Sequence, residues 1–300
     1  MTHVLITGAS GLLGSNVVRE SSQACNVTAV VYQNPLEFER VDVEKVDLTD
    51  AAKAKAVIFA AKPDWVIHCA ADTAIDELES AQERAQLANV DMTRNVARAS
   101  AEIGAQMLFV STDSVFSGRD GPYSEIDKPE PINVYAQSKL DGENAAVEEH
   151  PGPLIVRTNL FGWGQGKKLS LAEWFYSNLK EDQPVPGFID VHFSPIYASE
   201  LARLFLRMLQ EGLQGLYHLA GAKCVSKFEF GVRLAQTFGY DPSLVQPVQS
   251  GQKDWQAKRP KNTCLDGSKL AGELGIELPE LDDGLAHFKA DLSEATLTKG

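Results

Sequence analysis

Tyr135 and Lys139 close the stretch Tyr135-Ala136-Gln137-Ser138-Lys139. In a helix, residues four apart leave the same face, so both side chains would meet over one ligand. A phenol with a free pKa of about 10 is a poor acid or base near neutrality, and a neighbouring ammonium stabilises its phenolate. The pair can then work as one acid–base device. Many helices carry a core tyrosine beside a lysine that lays its stem along apolar surface, so the spacing gains weight only from its surroundings. Upstream, Ser111-Thr112-Asp113-Ser114 offers hydroxyls that could meet charge building on an oxygen.

Two elements must position these groups. Val4-Leu5-Ile6 is an apolar, β-branched run that reads as a buried strand, and Gly8, Gly11 and Gly14 follow it into a helical pattern carrying Leu13, Val17 and Val18. Gly8 permits a tight turn, Gly11 lets backbone approach a pyrophosphate, and Gly14 lets the helix pack on the sheet. The N–H groups of that helix end then face an anion, which is the arrangement for a dinucleotide. The second element is a strand over Gln106–Val110, which delivers Thr112 to the carboxyl edge where open α/β sheets bind ligands.

Further strands are expected at Asn26–Tyr32, Val41–Leu48, Trp65–Cys69, Leu154–Thr158 and Leu216–Leu219. Ser80 and Glu83 make a capping-box pattern for one long helix with Met92, Val96, Ala99 and Ile103 on its apolar stripe and Asn89 within it. Thr49 or Asp50 caps the helix before Trp65, and other helices are expected at about Asn133–Glu149, Leu169–Leu179, around Leu201–Leu209, from Ser226 to Phe238 and at Leu285–Leu292. The fold class is α/β, a Rossmann-type doubly wound parallel sheet with a small C-terminal lobe. Residues 1–165 form the dinucleotide-binding domain, which also receives segments near 190–222, while 166–189 and 223–300 form the smaller substrate-binding lobe.

The formal charge of −13 and pI near 4.9 exclude a basic nucleic-acid or anionic-membrane surface, so phosphate must be held by backbone and a few cations. Cys25, Cys69, Cys224 and Cys264 are scattered without a paired motif and read as buried free thiols of a reducing cytoplasm. With no signal-peptide pattern and no run of ~20 apolar residues, a soluble, cytoplasmic chain is expected. His192 and His218 lack ligand-spaced partners, so no metal is expected. Tyr32-Gln33-Asn34 ends the second strand without a carboxylate or a cation, which leaves NADP(H) and NAD(H) both open.

The order of these parts resembles the extended short-chain dehydrogenase/reductase superfamily. Within it, Ser111-Thr112-Asp113-Ser114-Val115-Phe116-Ser117-Gly118, Ala70-Ala71-Asp72-Thr73-Ala74-Ile75-Asp76 and Arg259-Pro260-Lys261-Asn262-Thr263-Cys264-Leu265-Asp266 are similar to segments of dTDP-4-dehydrorhamnose reductases. The resemblance implies reduction of a keto group on a nucleotide-linked sugar by NADPH or NADH. It makes Tyr135 the proton donor, Thr112 a second hydrogen bond to the keto oxygen, and Lys139 the group that tunes Tyr135 and bonds the nicotinamide ribose. It also implies that Gly8, Ser10, Gly11, Leu12, Leu13 and Gly14 hold the pyrophosphate. Asp47 and Leu48 would meet the adenine, Ala70, Ala71 and Thr73 the middle of the cofactor, with Tyr135 and Lys139 touching it too, while Asn89 supports the catalytic helix. A nucleotide sugar is the expected partner, and a homodimer is compatible with the scaffold. Departures fall at His68-Cys69-Ala70, where the family has Asn-Ala-Ala, and at Asp72 and Ser114, where it has tyrosines. Two other uses of the scaffold are a nucleotide-sugar epimerase or dehydratase and a non-catalytic subunit similar to the regulatory subunit of methionine adenosyltransferase. The dehydratases need Asp-Glu after the threonine, and this chain has Asp113-Ser114.

Overall fold

A computed structural model describes residues 1–165, 169–252 and 254–292, so residues 166–168, 253 and 293–300 of the expected lobe lie outside the described residues. Its centre is a seven-stranded sheet of β1 (His3–Thr7), β2 (Asn26–Val31), β3 (Asp42–Lys45), β4 (Trp65–His68), β5 (Gln106–Thr112), β6 (Leu154–Thr158) and β7 (Gly215–His218). Every pairing is parallel, and the spatial order is β7-β6-β5-β4-β1-β2-β3. Val4, Leu5, Ile6, Val66 and Ile67 have no exposed surface, as strands covered on both faces require. β3 is exposed throughout, as a charged edge strand must be. The order of connection reverses between β1 and β4, so the chain leaves the sheet in opposite directions there and a crevice opens.

The helices are α1 (Leu12–Ser21), α2 (Ala51–Ala61), α3 (Met92–Ile103), α4 (Val134–Glu149), α5 (Leu171–Lys180), α6 (Ala198–Gln210), α7 (Lys227–Phe238), α8 (Ser268–Leu274) and α9 (Leu281–Ala290). α1 and α6 cover one face of the sheet through Val17, Val18, Leu201, Phe205 and Met208. α2, α3 and α4 cover the other through Ile58, Val96 and Ala146. The Asp50 carboxylate caps α2 by accepting from the N–H groups of Ala52 and Lys53.

The long helix expected from Ser80 starts at Gln82 and runs on to Ile103, with a π-helical turn inside it. Ser80 donates its hydroxyl back to the Glu77 carbonyl instead of capping forward, and two single-turn helices (Ile75–Leu78 and Gln82–Ala85) precede a π-helical turn at Gln86–Asp91. The regular α-helix resumes at Met92, and because Ala81 and not Ser80 stands before the first helical residue, the capping box does not form. The last helix begins at Leu281 and not Leu285, because Pro279 stops the preceding chain while Asp282 and Asp283 complement the first-turn dipole.

A second apolar cluster gathers Phe161, Phe175, Phe193, Phe230 and Phe288 with α5, α7 and α9. Ser170 with Glu173 and Ser226 with Glu229 form complete capping boxes that start α5 and α7. A two-stranded parallel ribbon of Val185–Phe188 and Val245–Val248 completes this part. Among the described residues no helix is long and apolar enough to cross a membrane.

Cys224 and Cys264 form a disulfide, which corrects the expectation of four free thiols, while Cys25 and Cys69 remain free. The pairing is tertiary. The segment ending at Cys264 is drawn back across the sheet edge, Asn262 donating to the Gly118 carbonyl and Tyr123 donating to that of Cys264, so no local spacing announces it. A bond spanning 40 residues is expected to stabilise the fold by about 2–4 kcal/mol. Urea unfolding with and without reductant should show that loss, and Cys264→Ser should reproduce it. An unchanged midpoint would mean that the thiols stay reduced in solution.

Candidate active site

The crevice between β1 and β4 is a cleft of about 660 Å³. Gly8, Ser10 and Gly11 form one wall, Ala70, Ala71 and Thr73 the opposite one, and Asp47 and Leu48 lie at one end beside Tyr32, Gln33 and Asn34. Gly8 adopts φ +63°, and a β-carbon there would lie 2.7 Å from the Ala70 backbone. Gly14 is tighter still, its β-carbon falling 2.1 Å from the Gly8 carbonyl oxygen. Gly11 differs, because a β-carbon there meets only that oxygen, at 3.1 Å, and the space beyond is the cleft. α1 starts without a side-chain cap and without an acidic residue in its first turn, so its terminal N–H groups are available to an anion. This donor set fits a dinucleotide pyrophosphate. Leu12, Leu13 and Gly14 are not in the cleft wall: Leu13 packs in the sheet core, Gly14 against the Gly8–Ala9 turn, and Leu12 toward Gly162 and Gly164.

Asn133 starts α4 by accepting from the Ala136 N–H and ties it to the C-terminal segment by donating to the Lys258 carbonyl. Tyr135 and Lys139 emerge together on the buried face, 8% and 3% exposed. The Tyr135 phenol lies beside the Thr112 hydroxyl at the end of β5. Burial pushes the phenol up to about 12; the hydrogen bond with Thr112 opposes the shift, and the nearby carboxylates of Asp113 and Asp72 add to it. Tyr135 is therefore a neutral phenol at physiological pH.

Lys139 does not stabilise a phenolate in the unliganded chain. Its ammonium donates to the Val110 carbonyl at 2.8 Å and stands 4.2 Å from the centre of the Phe109 ring. Burial draws it down to about 8, against the attraction of Glu143. One turn further along α4, Glu143 accepts a bidentate pair from Arg157 (2.9 and 2.7 Å) and the Ser111 hydroxyl, which pins the helix to β5 and β6.

Asp113 is the hub beyond Thr112. Its buried carboxylate accepts from Thr112 and Ser114, from Asn159 at 2.6 Å and from Thr263 at 2.5 Å. Asn159 and Thr263 escape sequence reasoning because only the tertiary fold brings them to the end of β5. Asn89 sits in the π-helical turn; its carboxamide accepts from the Asp72 N–H, and donates to the Asp72 carbonyl and to Ser138 on α4. A separate apolar pocket of about 350 Å³ lies in the second cluster, walled by Trp174, Phe188, Val248 and Trp255 with Lys227 among its residues.

Replacement of Gly11 by valine should leave the fold intact with at most a small drop in the unfolding midpoint, since its β-carbon meets only the Gly8 carbonyl oxygen, at 3.1 Å. Titration with NADPH, followed by cofactor fluorescence, should show affinity reduced by at least about tenfold. Wild-type affinity in that variant would remove the pyrophosphate from this wall.

Comparison with known proteins bears on the whole of this architecture. The model of the RmlD substrate binding domain matches residues 1–294. The probable low-salt glycan biosynthesis reductase Agl14 of Haloferax volcanii is 33% identical over 296 residues, covering 97% of this chain and 99% of that protein. The methionine adenosyltransferase 2 subunit beta of Rattus norvegicus is 33% identical over 291 residues, 91% of this chain and 82% of its own length. Among solved structures, the dTDP-4-dehydrorhamnose reductase of Bacillus anthracis in complex with NADP superimposes with a TM-score of 0.83 at 30% identity, over 97% of this chain and 100% of that one. A hypothetical dTDP-4-dehydrorhamnose reductase from Sulfolobus tokodaii gives 0.84 at 35%, over 95% and 99%. A glycine turn, a threonine closing β5 and a Tyr-x-x-x-Lys helix thus stand in a chain matched along nearly its full length, and the protein belongs to the RmlD substrate-binding domain family of the extended short-chain dehydrogenase/reductases.

Proposed function

We propose that this protein reduces a keto group on a nucleotide-linked sugar with NADPH or NADH. The observation that carries the reading is the pairing of a neutral, buried Tyr135 phenol with the Thr112 hydroxyl at the ligand edge of the sheet. The nicotinamide supplies the hydride when bound. The chain's own task is to meet the charge that grows on the carbonyl oxygen, Tyr135 by giving up its proton and Thr112 by a hydrogen bond made when its hydroxyl hydrogen turns from Asp113 to that oxygen. A phenol raised to about 12 is held in the form that donates. Lys139, already close to its point of deprotonation at about 8, is the cation that would restrain the phenolate once a ligand draws it from Val110.

Residues 1–165 with segments near 190–222 would hold the cofactor, and the remainder would hold the sugar. The apolar pocket of Trp174, Phe188 and Trp255 suits a flat nucleobase, with Lys227 toward its phosphates. The relatives named as reductases support this reading. A dehydratase is disfavoured because Ser114, which donates to Asp113, stands where a dehydratase places its glutamate. A second reading, a cofactor-binding regulatory subunit, is favoured by the likeness to methionine adenosyltransferase 2 subunit beta. The retained Thr112, Tyr135 and Lys139 weigh against it.

Tyr135→Phe distinguishes the two readings, because it removes one hydroxyl and little else. NADPH oxidation against a nucleotide-linked 4-keto sugar should fall by about 10²- to 10⁴-fold while cofactor affinity persists. If the variant keeps full turnover, Tyr135 is not the acid. If the wild type consumes no NADPH with any such sugar yet binds the cofactor, the regulatory reading stands.

A further inference from the structure

His68, at the end of β4, has no exposed surface and does not itself line the cleft. Its two ring nitrogens nevertheless lie on opposite sides of the site. Nδ1 is 2.6 Å from the Thr7 hydroxyl, and Nε2 is 3.2 Å from the Thr93 hydroxyl. The direction of each bond follows from counting protons. The Thr93 hydroxyl spends its single hydrogen on the Asn89 carbonyl, 2.8 Å away, so toward His68 it can only accept. Nε2 must then carry the ring proton, which leaves Nδ1 as an acceptor for the hydroxyl of Thr7. Thr7 in turn accepts from the Ala70 N–H at 3.2 Å.

The result is one polarised chain, running from Ala70 through Thr7, His68 and Thr93 to the carbonyl of Asn89. Asn89 carries it on through its carboxamide, which donates to the Ser138 hydroxyl at 2.9 Å, and Ser138 donates to the carbonyl of Tyr135 at 2.8 Å. Thr7 immediately precedes Gly8, and Ala70 lies in the opposite cleft wall. We propose that His68, fixed as the Nε2–H tautomer, is a positioning residue that joins the glycine turn to the helix carrying Tyr135, so that the cofactor walls and the proton donor are held in one register. This rests on the reading of the cleft and of Tyr135 given above. The ring is well placed for the task. It stacks on Phe109 at 5.7 Å, whose other neighbour is the Lys139 ammonium. Burial together with that ammonium keeps the imidazole neutral, which preserves one donor and one acceptor.

The tautomer can be read directly by ¹⁵N NMR of histidine-labelled protein, with the His68 signals assigned by their loss in His68→Gln. The expected spectrum has the proton on Nε2 at every pH between about 5 and 8, and a proton on Nδ1 or a titrating ring would overturn the proposal. The coupling is tested by NADPH dissociation constants for Thr7→Val, Ser138→Ala and the double variant. Each single change should weaken binding by about threefold to tenfold, the value of one lost hydrogen bond. The double variant should lose clearly less than the product of the two, as members of one network do, whereas a full product would show that the ends act independently and the coupling is absent. If the wild type binds no NADPH, the functional reading of the cleft fails, and the tautomer alone then decides whether His68 has the assigned role.

Discussion

A β-carbon on Gly14 would sit 2.1 Å from the carbonyl oxygen of Gly8, and this absence of space between α1 and the turn that ends β1 is what the site depends on. It brings the start of the helix down onto the strand, so the turn between them is short and its N–H groups point out over the sheet edge. The reversal of strand order between β1 and β4 then leaves a crevice directly in front of those groups. A protein with a formal charge of −13 can hold a phosphate there because the attraction comes from fixed backbone dipoles close at hand and not from its net charge.

The other half of the site depends on burial. Tyr135 and Lys139 are both removed from water, and each is pushed toward its neutral form, the phenol upward and the ammonium downward. An enzyme working in the direction of reduction starts with the proton on the tyrosine, which is the state this environment favours. Asp113 contributes by holding Thr112, Asn159 and Thr263 around a single carboxylate, so that the turn after β5, the end of β6 and the C-terminal segment converge. The Cys224–Cys264 bond anchors the last of these one residue beyond Thr263.

Much of this was legible in the sequence because it is local. The β-branched run before Gly8, the glycine spacing, the Tyr135–Lys139 interval and the Ser226–Glu229 box each express a backbone requirement within a few residues. The strands were recovered for the same reason. Interactions that depend on which distant segments meet left no local mark, and these include the disulfide, the bonds of Asn159 and Thr263 to Asp113, and the chain through His68. Ser80 and Glu83 show the converse, since the spacing is right yet Ser80 bonds back to Glu77 and the helix starts after Ala81, ahead of the π-helical turn that places Asn89 against α4. The direction in which Lys139 points was also beyond local reasoning, being set by the Val110 carbonyl and the Phe109 ring on a neighbouring strand.

In the proposed reaction the bound cofactor delivers hydride to a carbonyl whose oxygen takes its proton from Tyr135, with net consumption of cofactor. Incubation with NADPH carrying deuterium at both C4 positions of the nicotinamide and a dTDP-linked 4-keto-6-deoxy sugar, followed by mass spectrometry and NMR of the sugar, addresses it most directly. The account predicts one deuterium on the new carbinol carbon for each NADPH oxidised. An epimerised sugar with no net oxidation of NADPH, or a sugar recovered unchanged beside intact NADPH, would contradict it.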